Sequence, residues 1–162
     1  MRVVGAFASI LNSSIHIPLV VFVFFSGIVV ILYCMTPILE HYNYVNSARY
    51  IGKFLSYFCH QLTNRSIKIG HYPMGLCARC ISFYTFLTIF LGLRIFGLLV
   101  NKASKYIVIL LLLPLTIDGG IQLLLHLESS NGMRVITGFF AALACALSES
   151  NTYIKYRDIN YV

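Results

Sequence analysis

Four stretches of this chain run close to the thickness of a bilayer with almost no charge. Residues 17–39 carry none, residues 81–100 are broken only by Arg94, and residues 106–125 hold only Asp118. The fourth stretch, residues 133–148, has Arg134 near its start. A helix needs about 20 apolar residues to cross the hydrocarbon. The first three runs meet that length. The fourth needs tilt, local thinning of the bilayer, or extension toward Tyr153. The chain is 59% hydrophobic and only 10% charged, against roughly 25% charge in a soluble domain. So little polar surface cannot coat a soluble globule of 162 residues, and extended disorder is excluded on the same ground. The expected fold is therefore all-α: one polytopic integral-membrane domain over residues 1–162, with four transmembrane helices.

The first run does not read as a cleaved signal peptide. Arg2 stands alone in the n-region, the apolar core is too long, and no small-x-small site follows Cys34. It is expected to remain as a span, with a short interfacial lead-in before Ile17. The net charge is +7. In a membrane protein, basic residues flank the spans and meet anionic lipid heads, so the bilayer is the expected partner. No basic stretch interleaved with aromatics is long enough for a nucleic-acid groove, so no nucleic-acid partner is expected.

With four spans the N-terminus, the loop at residues 101–105 and the C-terminus share one side. Arg2, Lys102, Lys105, Lys155 and Arg157 lie there, and Arg49, Lys53, Arg65, Lys68, Arg79 and Arg134 lie on the other. When Arg65, Arg79 and Arg134 are set aside as site residues, the remaining balance places both termini in the cytoplasm, in the cell membrane.

The one long polar segment is residues 40–80, between spans one and two. In it Ile51, Phe54, Leu55 and Phe58 recur at helical spacing, with Arg49, Lys53 and Ser56 on other faces. That pattern predicts a short amphipathic helix at the membrane surface. Asn64-Arg65-Ser66 reads as a turn and residues 70–75 as a loop.

This topology gathers the costly polar groups at one pole. Cys59, His60, Gln61, Arg65 and His71 belong to the polar segment; Cys77, Arg79 and Cys80 enter span two. Asp118 and Gln122 lie in the second half of span three, and His126, Glu128, Ser129, Ser130 and Asn131 at its exit. Arg134 and Thr137 begin span four. Asp118 lies roughly 12 Å below that exit, at 1.5 Å per residue. A carboxylate at such depth needs a partner, and intramembrane charges generally face the interior and mark function. It is a candidate catalytic base, with His60 beside it in that role, or a residue that orients a metal ligand. The structural alternative is an Asp118–Arg134 pair pinning spans three and four.

Cys77 and Cys80 form a C-x-x-C pair, with Cys59-His60 upstream. Two thiolates at that spacing reach one metal ion or each other. A tetrahedral zinc site, or one for another transition metal, would draw on Cys77, Cys80, Cys59 or His60, and one of His71, Asp118 or water. The alternatives are a disulfide among the same cysteines and inert thiols. Cys34 and Cys145 fall in apolar runs and read as buried small hydrophobes. Gly138, Ala141, Ala142 and Cys145 make a small-residue stripe for helix packing. Arg65, Arg79 and Arg134 suit an anion, because guanidinium forks match phosphate and carboxylate oxygens. Gln122, Asn131 and Tyr84 complete the candidate substrate-binding set, and an anionic lipid head group is the candidate ligand.

Taken together, Cys59-His60-Gln61, Arg65-Ser66, Leu76-Cys77-Ala78-Arg79-Cys80, Asp118-Gly119 with Gln122, and Glu128-Ser129-Ser130-Asn131 with Arg134, Thr137 and Gly138 resemble a family of small uncharacterised predicted membrane proteins of bacteria and archaea, known as a domain of unknown function. The resemblance covers about residues 50–140. Family members typically carry Thr where this chain has Ser130, and often Thr-Gly where it has Ile81-Ser82. The resemblance implies that these polar positions act as one site, and it supplies no reaction.

Three functions fit these residues. The first is a membrane protein with a Cys/His metal site at the interface, as an enzyme on an anionic lipid-borne group. The second is a membrane thiol–disulfide protein, with Cys77 and Cys80 exchanging with Cys59. The third is a non-catalytic metal-ion transporter or sensor, with Asp118, Gln122 and Tyr84 along its path.

Overall fold

A computed structural model of the chain describes residues 16–95, 103–125 and 128–160, and the side chains within 18–148 of these. The lead-in before Ile17, the end of the second apolar run, Lys102 and His126 lie outside the described residues. The order of elements is α1 (His16–His41), α2 (Val45–Leu55), a 3-10 turn (Thr63–Arg65), β1 (Ser66–Ile69), β2 (Tyr72–Cys77), α3 (Ala78–Ile95), α4 (Lys105–Leu125) and α5 (Asn131–Asn160). The fold is mostly helical, and four helices are long and apolar enough to cross a membrane: Pro18–His41, Ala78–Ile95, Lys105–Leu125 and Asn131–Ser148.

The short fourth run finds its length by extension. Helix α5 continues past Ser148 to Asn160, 30 residues in all. At 1.5 Å per residue that is about 45 Å, longer than the ~30 Å hydrocarbon layer. Helix α1 contains Pro37, which cannot donate to the Tyr33 carbonyl. The Thr36 hydroxyl donates to that carbonyl instead, at 2.8 Å. The helix stops at Asn43, which takes a left-handed φ of 61°. The Asn43 N–H then reaches the Glu40 carbonyl at 3.1 Å and the Tyr44 N–H reaches that of Leu39 at 2.8 Å, the two bonds of a Schellman stop.

The predicted amphipathic helix is α2, with its inward face rotated from the expected one. Ala48 and Leu55 are buried and Ile51 half-buried, whereas Phe54 is exposed. A larger difference lies at residues 66–77. Residues 70–75, expected to be a loop, form the turn and most of the second strand of an antiparallel hairpin that pairs Ile69 with Tyr72, Lys68 with Pro73 and Ser66 with Cys77. Gly70 supplies the positive φ of the two-residue turn. The Pro73 that argues against a strand is tolerated because a two-stranded sheet is all edge. The pairing is irregular between Ser66 and Lys68. At Gly75 a Cβ would come within 2.8 Å of Leu55 and 2.9 Å of Thr36. At that point α1, α2 and β2 meet.

In the bundle α3 packs chiefly on α5 and α1, and α4 packs chiefly on α5. Of the expected small-residue stripe, Ala141 and Ala142 are buried, and Ala142 faces the α3–α5 contact, as does Ala146, which lies outside that stripe. A Cβ on Gly138 would sit 2.4 Å from the Arg79 carbonyl. Ser82 donates to the Val135 carbonyl at 2.7 Å, and Arg94 to that of Ala146 at 2.8 Å. Cys145 departs from expectation: it is exposed, because it lies on the flank of α5 next to the buried stripe. Cys34 is half-buried.

Candidate metal centre

Three elements bring the cysteines together. Cys59 follows α2 on a turn in which its N–H reaches the Leu55 carbonyl at 3.2 Å. Gln61 then takes a left-handed φ of 51°. Its side-chain amide donates to the Gly52 carbonyl at 2.8 Å and the Gly75 carbonyl at 2.9 Å, tying α2 to β2. Cys77 is the last residue of β2, and Cys80 lies in the first turn of α3. The Cys77 N–H donates to the Cys59 sulfur at 3.4 Å. The three sulfurs lie within 4.8 Å of one another. Two sulfurs on one zinc, each at 2.3 Å in tetrahedral array, stand about 3.8 Å apart. A small contraction would therefore close the triangle on an ion.

The Cys77 thiol is held well below its ordinary range. The Cys59 and Cys80 thiols hydrogen-bond to it, and the backbone N–H groups of Cys80 and Arg79 at the start of α3 add to the effect. A helix N-terminus favours a thiolate in this way. A cavity of about 330 Å³ opens beside the sulfurs, and His60, Arg65 and Arg79 also line it.

From the cavity a polar chain leads into the membrane. Arg79 forms an ion pair with Asp118. Gln122 donates to the same Asp118 oxygen at 3.0 Å and to the Ser129 hydroxyl at 2.8 Å. The Asp118–Arg134 pair, the structural alternative, is thus not the one formed. Asp118 faces α3, and Arg134, only 3% exposed, donates to the Asn131 side-chain oxygen at 3.1 Å. At the exposed end of the chain of contacts Arg65 pairs with Glu128 at 2.8 Å, and Asn64 donates to Glu128 at 3.1 Å. Arg65, with Arg134 contributing less, holds the Glu128 carboxyl below its usual range. One nitrogen on each arginine (Arg65 Nε, Arg79 Nε and Arg134 Nη2) is buried without a partner among the described residues.

The model of the family described as predicted membrane protein DUF2085 matches residues 59–148. That span opens on Cys59 and contains every group just described except those of α2. The chain belongs to the DUF2085 family. An uncharacterised protein of Methanocaldococcus jannaschii is 31% identical over 124 residues, covering 68% of this chain and 78% of its own length. An uncharacterised protein of Methanothermobacter thermautotrophicus is 33% identical over 93 residues, covering 56% of this chain and 83% of its own. No solved structure matches the chain.

Within this DUF2085 chain the sequence-predicted residues divide into groups. Cys59, Cys77 and Cys80 come together, with His60, Arg65 and Arg79 around the same cavity. Asp118 and Gln122 reach the cavity only through Arg79. His71 is not brought to the sulfurs: it sits at the hairpin tip, in a separate pocket with His41, Tyr42 and Tyr72. Tyr84 lies below the sulfurs in a groove between helices. Sequence reasoning gave no separate role to Asn64, Glu128 and Ser129. Their signal was present: they are polar residues flanking a loop at the crowded pole.

Proposed function

We propose that Cys59, Cys77 and Cys80 hold a transition-metal ion, zinc by their donor type, in a membrane enzyme acting on an anionic group carried by a lipid. The observation that carries this reading is the packing of three sulfurs within 4.8 Å of one another, in a cavity that Arg65 and Arg79 also line. Three protein ligands leave a fourth position, and zinc bound there would act as a Lewis acid on a water or substrate oxygen. Arg65 and Arg79 bind the anion, and Arg134 adds positive charge behind Glu128. Asp118 is a positioning residue: its carboxylate is taken by Arg79, Gln122 and Ser129, which suits orienting a guanidinium better than abstracting a proton. The exposed His60 at the cavity is the proton-transfer group. Both termini lie in the cytoplasm in this reading, and the cavity faces outward.

A thiol–disulfide protein is the second reading, favoured by three sulfurs within 4.8 Å of one another. A metal transporter fits less well, since Asp118 is already committed to three partners.

Elemental analysis of the detergent-purified protein separates these. About one zinc per chain, lost in Cys77→Ser/Cys80→Ser, supports the metal centre. A metal-free protein whose Cys77 and Cys80 resist alkylation until reduced overturns it in favour of the disulfide reading.

A further inference from the structure

A second cavity, of about 390 Å³, lies in the groove where α1, α3 and α5 meet. Phe22 and Phe25 of α1, Tyr84, Leu87 and Leu91 of α3, and Cys145 of α5 form its walls. It adjoins the cysteine cavity. On α3, Cys80 lines one cavity and Tyr84, one helical turn further, lines the other. Across from them Phe25 of the groove meets Phe58 of the cysteine cavity edge to face, with ring centroids 5.6 Å apart. From Tyr84 to Leu91 the groove follows α3 for about 10 Å into the membrane, at 1.5 Å per residue.

Any groove open to a bilayer collects lipid chains. This one differs in what stands at its mouth. Arg65 and Arg79 line the adjoining cavity, and each keeps one buried nitrogen that no described side chain or carbonyl meets. Buried donors of that kind are costly unless an acceptor arrives.

We propose that the groove is the tail site for a lipid with a phosphate-type head that enters sideways from the bilayer. Its head lies at Arg65 and Arg79 and its chain along Tyr84, Leu87 and Leu91. The proposal rests on the reading of the arginine cavity as an anion site, and it adds the substrate class.

The test is photolabelling of the full-length protein in nanodiscs. The probe is a 15-carbon isoprenyl phosphate with a diazirine in its chain, and the same isoprenyl alcohol is the comparison. Labelling of the peptide containing Leu87 and Leu91 should be at least tenfold greater with the phosphate than with the alcohol. It should fall at least tenfold in Arg65→Gln, and equally in Leu87→Trp and Cys145→Phe, which fill the groove from opposite walls. Metal content should be unchanged in the groove variants. Equal labelling by phosphate and alcohol overturns the proposal, because the groove then only meets bulk lipid. Selective labelling confined to the arginine cavity overturns the tail site and leaves the anion reading standing. Absence of any head-selective labelling, with zinc still bound, overturns both and leaves the metal centre.

Discussion

Replacing Asp118 by Asn strands a guanidinium inside the protein, and the cost can be worked from the contacts. One oxygen of Asp118 receives Arg79, Gln122 at 3.0 Å and Ser129 at 3.5 Å. The Asp118 side chain is 10% exposed and that of Arg79 26%. Removing one member of a buried ion pair costs roughly 3–5 kcal/mol, mostly for the charge left behind. Asn keeps the shape and an acceptor, and water reaches the exposed part of Arg79. The expected loss is therefore about 2–3 kcal/mol, below that range. A double-mutant cycle with Arg79→Gln isolates the pair, and its coupling should be about 1.5–2.5 kcal/mol. The assay is reversible unfolding in mixed micelles at fixed detergent composition, on variants shown to insert normally. The same cycle with Arg134→Gln should give less than about 0.5 kcal/mol, the value for side chains with no shared contact. Coupling to Arg134 that exceeds coupling to Arg79 would refute the pairing and the inference that Asp118 orients Arg79.

Gly138→Ala should lose about 1–3 kcal/mol in the same unfolding assay, as overpacked sites do, because the methyl meets the Arg79 carbonyl at 2.4 Å. Gly119→Ala, inside α4 with nothing described within 4 Å of the added carbon, should not destabilise and should gain up to about 1 kcal/mol from helix propensity. His60→Ala should keep its metal by elemental analysis, while Cys59→Ser loses it; metal lost from His60→Ala would make His60 the fourth ligand and the site a closed, structural one. Glu128 should titrate below the ordinary carboxylate range, and Arg65→Gln should raise its midpoint, read by carbon-13 carboxyl NMR in micelles. The folded-state pKa is the depressed one, so whatever this exposed pair adds to stability is present above the ordinary Glu range. It is lost as pH falls through the lowered value, and salt weakens it.

The spans were legible because charge-free length is a one-dimensional property, and the polar pole followed from counting them. The cysteine triangle was legible in part: C-x-x-C across a strand end and a helix start fixes Cys77 and Cys80, and Cys59 lies just upstream. Which arginine meets Asp118 was not legible, since it depends on how α3 and α4 are rotated and how far a side chain reaches. Arg79 and Arg134 are equally plausible by topology. The hairpin was hidden because Gly70, Pro73 and Gly75 are turn signals in isolation. Pro73 is harmless on an edge, and Gly75 is required by the close approach of Leu55 and Thr36. That hairpin places His71 away from the sulfurs, a separation that sequence distance alone does not indicate.

The polar contacts that hold α4 also hold the cavity. Asp118 is the buried residue of α4, whose long face of Ile109, Leu110, Leu113, Ile117 and Ile121 is exposed. In hydrocarbon such a face gains nothing by leaving lipid for protein, so helix association rests on packing and polar contacts. For α4 these are its packing on α5, the Arg79–Asp118 pair and the Gln122–Ser129 bond. Arg79 is also a wall of the cysteine cavity. An anion that draws on Arg79 therefore competes with Asp118 or completes its coordination, and in either case shifts how firmly α4 is docked. By linkage, the docking of α4 shifts anion affinity by the same free energy. A carboxylate in the membrane is costly as a helix tether alone. Its position is understandable where one guanidinium must serve both the bundle and the cavity.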